Sequence, residues 1–131
     1  MSLDRTTEQF VGEWFDLLSA HAPVDNLLPF VSENDLEMVF PERTLRSHAD
    51  FRDWYKAVGE TYSNQEHVVE KIDATPAGDG QDLAVTVIWR AVQKSDDAKI
   101  AVRAQQSWRL ATSGSGGPLI RKYRVETMVD L

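Results

Sequence analysis

Leu83-Ala84-Val85-Thr86-Val87-Ile88-Trp89-Arg90-Ala91-Val92-Gln93-Lys94, followed after the polar turn Ser95-Asp96-Asp97-Ala98 by Lys99-Ile100-Ala101-Val102-Arg103-Ala104-Gln105-Gln106-Ser107-Trp108-Arg109-Leu110-Ala111, decides the fold. In each stretch bulky apolar residues alternate with polar ones, the period of a half-buried strand. Closing the four-residue turn by pairing Lys94 with Lys99 sets Trp89 opposite Ala104, Val87 opposite Gln106 and Val85 opposite Trp108. Each Trp then faces a smaller residue, and a one-residue slip would turn one strand's apolar set away from the other's. The opposite face carries Thr86, Ile88, Arg90, Arg103, Gln105, Ser107 and Arg109, and is either solvated or a subunit contact. The expected core element is therefore a curved antiparallel sheet with one apolar face.

Upstream, the chain offers helices to cover that face. From Thr6 to about His21, Phe10, Val11, Trp14, Phe15, Leu17 and Leu18 recur at helical spacing, with Thr6 and Gln9 placed to form a capping box. Pro23 starts a short second helix through Val24 to Leu28, ended by Pro29. A third helix begins near Ser47, where Phe51, Trp54, Tyr55, Val58 and Tyr62 form an aromatic stripe. Between them Leu36, Met38 and Phe40 mark a short strand ending at Pro41. Glu66 to Ala74 reads as the first long strand. The last strand starts near Leu119, after the loop Thr112-Ser113-Gly114-Ser115-Gly116-Gly117-Pro118, flexible by composition. The face Tyr123, Val125, Thr127 and Val129 is expected to continue the apolar side.

At 131 residues the chain, 1–131, reads as one α+β domain. A net charge of −7 and the lack of a basic stripe argue against nucleic acid as a partner. The apolar runs are too short to span a bilayer, so no membrane association is expected. Cys is absent, which removes disulfides, thiolate ligands and a cysteine nucleophile and fits a reducing, cytoplasmic location. His21, His48 and His67 lack the spacing of a metal site, and no dinucleotide or phosphate fingerprint occurs, so neither metal nor cofactor is expected. No Gly-x-Ser-x-Gly elbow is present. Asp96-Asp97 and Glu33 with Asp35 most simply decorate turns.

Gln106 is the odd residue on the apolar face, because an amide buried without partners costs about 1–3 kcal/mol. Either a neighbouring Tyr, Trp or backbone group satisfies it, or a ligand does. Tyr123 is equally open between a core-edge residue and a hydroxyl directed into a cavity. His67 is the best single catalytic candidate, since imidazole exchanges a proton near neutrality. Its alternative is a half-buried structural His, and Glu37, Asp35 or Tyr62 are possible distant partners. Trp14, Trp54, Trp89 and Trp108 can simply make the core. With Tyr55 and Met38 they can equally wall a pocket for a small molecule.

The order of helix, short helix, Pro-terminated strand, helix and four long antiparallel strands resembles the NTF2-like superfamily, specifically its SnoaL-like branch, over nearly the whole chain. Phe10 to Leu18, Met38-Val39-Phe40-Pro41, Phe51-Arg52-Asp53-Trp54-Tyr55, His67-Val68-Val69, Gln106-Ser107-Trp108-Arg109-Leu110 and Ile120 to Glu126 carry the resemblance. It implies a cone-shaped α+β barrel, a pocket between the helices and the concave sheet, and often a homodimer through the convex sheet. It implies no single activity, since relatives include steroid isomerases, polyketide cyclases, dehydratases, epoxide hydrolases and proteins that only bind. Isomerase-type relatives place a carboxylate just before the Pro of the short strand; here that position is Phe40, which cannot accept a proton. The Asp-Arg-Asp arrangement of the epoxide hydrolases is not visible. The leading expectation is a homodimer that binds a small, largely apolar or aromatic molecule and catalyses isomerisation, dehydration or cyclisation. In it His67 moves the proton while Tyr123 and Gln106 orient a carbonyl or hydroxyl. The alternative is a non-catalytic ligand-binding or protein-association module.

Overall fold

Alternating faces in the C-terminal half build a six-stranded sheet in a computed structural model that describes residues 7–78, 80–112 and 118–131. In chain order the elements are helix α1 (Thr7–Ala20), strands β1 (Glu37–Val39) and β2 (Thr44–Leu45), helix α2 (His48–Thr61), and strands β3 (Tyr62–Ala77), β4 (Gly80–Gln93), β5 (Lys99–Thr112) and β6 (Pro118–Asp130). The sheet order is β2-β1-β6-β5-β4-β3. The long strands are antiparallel throughout, whereas β1 runs parallel to β6, pairing Met38 with Tyr123, so the sheet is mixed rather than purely antiparallel. The capping box at Thr6 and most of the Gly-rich loop, 113–117, lie outside the described residues.

The β4–β5 hairpin keeps the expected faces but not the expected register. Val92 pairs with Lys99, setting Trp89 opposite Val102, Val87 opposite Ala104, Val85 opposite Gln106 and Leu83 opposite Trp108. The shift is by two residues, which preserves side-chain direction. Its cause lies outside the hairpin: Lys94 donates its backbone N–H to the Thr61 carbonyl (2.8 Å) and its Nζ to the Gly59 carbonyl (2.7 Å). The end of α2 thereby withdraws Lys94 from the ladder, and the loop closes through Gln93 N–H to the Ala98 carbonyl at 2.8 Å.

Bulges decide which side chains look inward. In β3 the register slips between Ser63 and Glu66, with Asn64 in the left-handed region (φ 51°), and again between Val69 and Lys71. Asn tolerates that conformation better than most non-glycine residues. In β6 a slip opposite Gln105–Gln106 turns Met128 inward and Thr127 and Val129 outward. The expectation that Thr127 and Val129 share the face of Tyr123 is thus corrected, and Val129 is 60% exposed. The segment after Pro23 also differs from expectation. It forms two 3-10 turns, Val24–Asn26 and Leu28–Phe30, and Pro29 sits early in the second, where no backbone N–H is required, instead of terminating a helix.

The core lies between α1 and the concave sheet. Phe10, Val11, Trp14, Phe15 and Leu18 form the buried face of α1, and Ser47 caps α2 by accepting the Asp50 N–H at 3.1 Å. On the convex face ion pairs such as Arg103–Glu70 (2.7 Å) and Arg109–Asp82 cross between strands in solvent, where each contributes little to stability. One close approach is sensitive to a single methyl: a Cβ on Gly80 would overlap the Leu110 carbonyl, a backbone atom of the neighbouring strand β5. Gly80→Ala is expected to cost about 1–3 kcal/mol, read as a lower urea midpoint; an unchanged midpoint would contradict this contact.

Candidate functional site

Helices α1 and α2 and the bent sheet enclose a cavity of about 280 Å3, near the lower end of the range for small-molecule sites. Phe15 and Leu18 of α1 and Trp54, Tyr55 and Val58 of α2 form one side. Tyr62, Gln65 and His67 of β3, Val87 and Trp89 of β4, Ala104 and Gln106 of β5, and Tyr123, Val125 and Met128 of β6 form the other. The first β3 bulge is what allows Tyr62, Gln65 and His67 all to line it. The β1–β2 turn, closed by Phe40 N–H to the Arg43 carbonyl (2.9 Å), brings Phe40, Pro41 and Glu42 to the wall.

His67 stacks on Phe15 (5.3 Å between ring centroids), and its Nδ1 lies 3.0 Å from Ser19 Oγ. The same oxygen accepts the His67 backbone N–H at 2.9 Å. Among the described residues the Ser19 hydroxyl has no other hydrogen-bond acceptor, so the arrangement favours its donating to Nδ1, with the ring proton on Nε2. Burial lowers the His67 pKa from 6.5 to about 4, so the ring is neutral at pH 7. Of the partners considered from sequence, Glu37 pairs with Arg46 (3.3 Å) and Asp35 with Arg121 (3.1 Å), while Tyr62 lines the same cavity as His67 with its ring edge-on to Trp89.

Gln106 is 8% exposed, and its Oε1 accepts the Trp108 indole N–H at 2.9 Å. That bond fixes the amide, leaving the two Nε2 hydrogens directed away from Trp108. Tyr123 is 3% exposed; burial raises its pKa, while the donors of Trp14 and Gln106 beside its oxygen act in the opposite sense. Trp14 Nε1 does not reach hydrogen-bond geometry and, among the described residues, is the only fully buried side-chain polar atom without a partner. His67, Gln106 and Tyr123 line the cavity together, and the Gln106 amide lies beside the Tyr123 oxygen, so one of its two hydrogens serves that contact and the second stays available. All three can donate. Apolar walls make such donors effective toward a carbonyl, hydroxyl or developing oxyanion.

Of the residues singled out from sequence, His67, Tyr123, Trp54, Tyr55, Trp89 and Gln106 line the cavity together. Trp14, Met38 and Trp108 are buried in the core outside its lining, where Trp14 touches the rings of Phe30, Phe51, Trp108 and Tyr123. Tyr55 contributes only its ring, because its hydroxyl donates to the Ala22 carbonyl at 2.5 Å. Sequence reasoning missed three participants: Ser19, which orients His67; Glu42, which accepts the Trp54 indole N–H at 3.0 Å; and Gln65, which accepts that of Trp89 at 3.3 Å. The helical spacing of Ser19 one residue after Leu18 was the only available signal for the first. Among the described residues no group of three or more His, Asp or Glu side chains is placed to hold a metal ion, and no helix is long and apolar enough to cross a membrane.

No protein-family model matches the sequence, and no curated protein sequence matches it. Solved structures do match. A candidate scytalone dehydratase from Novosphingobium aromaticivorans superposes with a TM-score of 0.81 at 11% identity, covering 95% of this chain and 84% of that one. Nuclear transport factor 2 from Cryptosporidium parvum gives 0.74 at 16% identity, covering 95% and 90%. A ketosteroid isomerase-like protein from Erwinia carotovora atroseptica gives 0.75 at 13% identity, covering 89% of each chain. Identities this low establish shared architecture and leave chemistry to the residues. The chain has the NTF2-like fold, an α+β cone.

Proposed function

We propose that this protein binds a small, largely apolar molecule bearing a carbonyl or hydroxyl oxygen, in the manner of SnoaL-like proteins, and promotes a proton-transfer step such as isomerisation, dehydration or cyclisation. The observation that carries this reading is the convergence of three polar side chains, His67, Gln106 and Tyr123, on a largely apolar cavity. A core evolved only to pack would place apolar atoms there, because burying polar groups is costly unless each is bonded. In this proposal the Gln106 amide and Tyr123 hydroxyl orient the ligand oxygen, and His67 Nε2 holds or delivers a proton to it. The aromatic walls exclude water and strengthen these bonds. The donor set, not a carboxylate at the Phe40 position, is what distinguishes the site.

A second reading, ligand binding without catalysis, has one specific observation in its favour: the imidazole is held neutral with Nδ1 committed to Ser19 and no carboxylate beside it. Homodimerisation through the convex sheet belongs to the same proposal, supported by the exposed Val68, paired with Ile88, and the exposed Val129, across Arg103 from Ile88 on that face, as does a cytoplasmic location. Trp fluorescence titration and thermal shift with phenols, aryl ketones and terpenoid ketones test the binding. A ligand at about 100 times its Kd should stabilise the fold by about 2.7 kcal/mol. Tyr123→Phe should weaken a carbonyl ligand about tenfold, the loss of roughly one hydrogen bond to a buried oxygen. Absence of saturable binding across the panel would refute the pocket reading, and a His67→Ala variant with unchanged turnover on an identified substrate would remove catalysis by His67.

A further inference from the structure

Polarity is distributed unevenly around this cavity. The donors of Gln106 and Tyr123 line the sheet, whereas Glu42 in the β1–β2 turn is the one charged side chain among the described lining residues. Among the described residues no Lys or Arg lines it, and His67 is neutral at pH 7. Glu42 is solvent-exposed, so it stands at the opening, and its Oε2 is fixed by the Trp54 indole N–H at 3.0 Å. Oε1 accepts no hydrogen bond from the described residues. The same indole stacks on Phe40 (4.1 Å, 19° between planes), and Trp89 and Tyr62, in edge-on contact at 5.0 Å, also line the cavity.

A carboxylate held at the edge of half-buried aromatic rings has a definite chemistry. Ring faces attract cations through their quadrupole, and the fixed negative charge adds to that attraction while penalising an anionic substituent. Resting on the reading of this cavity as a ligand site, we infer that the ligand is a two-ended molecule whose oxygen meets the Gln106–Tyr123 donors and whose other end carries an ammonium-type cation seated against Glu42 and Trp54. Glu42 is then a specificity-determining residue, selecting cationic over carboxylate-bearing molecules. The net charge of −7 favours the approach of such a ligand over that of an anion.

The test compares two near-isosteric probes, 3-hydroxyphenyltrimethylammonium and 3-tert-butylphenol, titrated into wild-type protein and Glu42→Gln at low salt with Trp fluorescence as the readout. The Gln side chain keeps an oxygen for the Trp54 indole N–H, so the rim stays in place. The expected result is that Glu42→Gln weakens the ammonium probe about three- to tenfold and the neutral probe less than about twofold, and that about 0.5 M salt narrows the difference in wild type. Equal effects on both probes, or binding of the neutral probe alone, would overturn the cationic assignment while leaving the cavity a ligand site. If neither probe shows saturable binding, the inference and the reading beneath it both fall.

Discussion

Trp14→Ala is expected to remove about 3–5 kcal/mol of stability, the largest loss available from a single truncation here. Trp14 is wholly buried, and its ring is in contact with Phe30 (6.0 Å), Phe51 (5.8 Å), Trp108 (6.3 Å) and Tyr123 (6.0 Å), so it joins α1, the second 3-10 turn, α2 and two strands. A domain of this size has on the order of 5–15 kcal/mol in total, so the variant should lie near the edge of folding. Trp14→Phe separates volume from polarity. It retains a ring and deletes an indole N–H that is desolvated without a hydrogen bond, so its cost should be about 1.5 kcal/mol or less. Urea unfolding followed by far-UV circular dichroism measures both. A Trp14→Ala midpoint close to wild type would mean the ring cluster is not the centre of the core.

Acid should destabilise the protein through His67 in a definite window. The folded-state pKa, about 4, lies below the ordinary 6.5, so the unfolded chain binds the extra proton first as pH falls. Stability contributed by the neutral ring is complete above about pH 6.5, declines as pH drops through 6.5 toward 4, and is lost below that. The interval corresponds to about 3 kcal/mol, since each pKa unit is about 1.4 kcal/mol. His67→Gln cannot titrate and isolates this contribution. The difference between wild-type and His67→Gln unfolding free energies should be flat from pH 7 to 8 and shift by about 3 kcal/mol against wild type on going to pH 4. A difference independent of pH would mean that the imidazole is solvated, and its role as a cavity donor would go with it.

The alternation of Val85, Val87 and Trp89 against Gln106 and Trp108 carried the sheet and its inward face from sequence, because side-chain direction has a period of two and survives a two-residue register error. The register itself depended on Lys94 reaching the end of α2, a contact between residues 33 and 35 positions apart that no local pattern encodes. The β6 bulge that parts Val125 from Thr127 is likewise set by pairing with β5. Within the site, aromatic residues were recognisable as such, yet spacing could not tell Trp54 and Trp89, which line the cavity, from Trp14 and Trp108, which lie behind it. That distinction depends on how far each helix stands from the sheet. The orientation of His67 by Ser19 joins residues 48 positions apart, so the imidazole could be nominated but not its tautomer.

Strand β3 closes the sheet at one margin and offers a long row of backbone groups there. A straight, apolar border of sixteen residues would invite recruitment by other chains. Its left-handed Asn64, the slip around Glu70, the Lys71–Asp73 pair and Pro76 interrupt that row at intervals of a few residues. The irregularities that admit Tyr62, Gln65 and His67 to the cavity therefore also guard the molecule against fibre-like stacking. Straightening the strand to improve its pairing would trade solubility away together with the pocket.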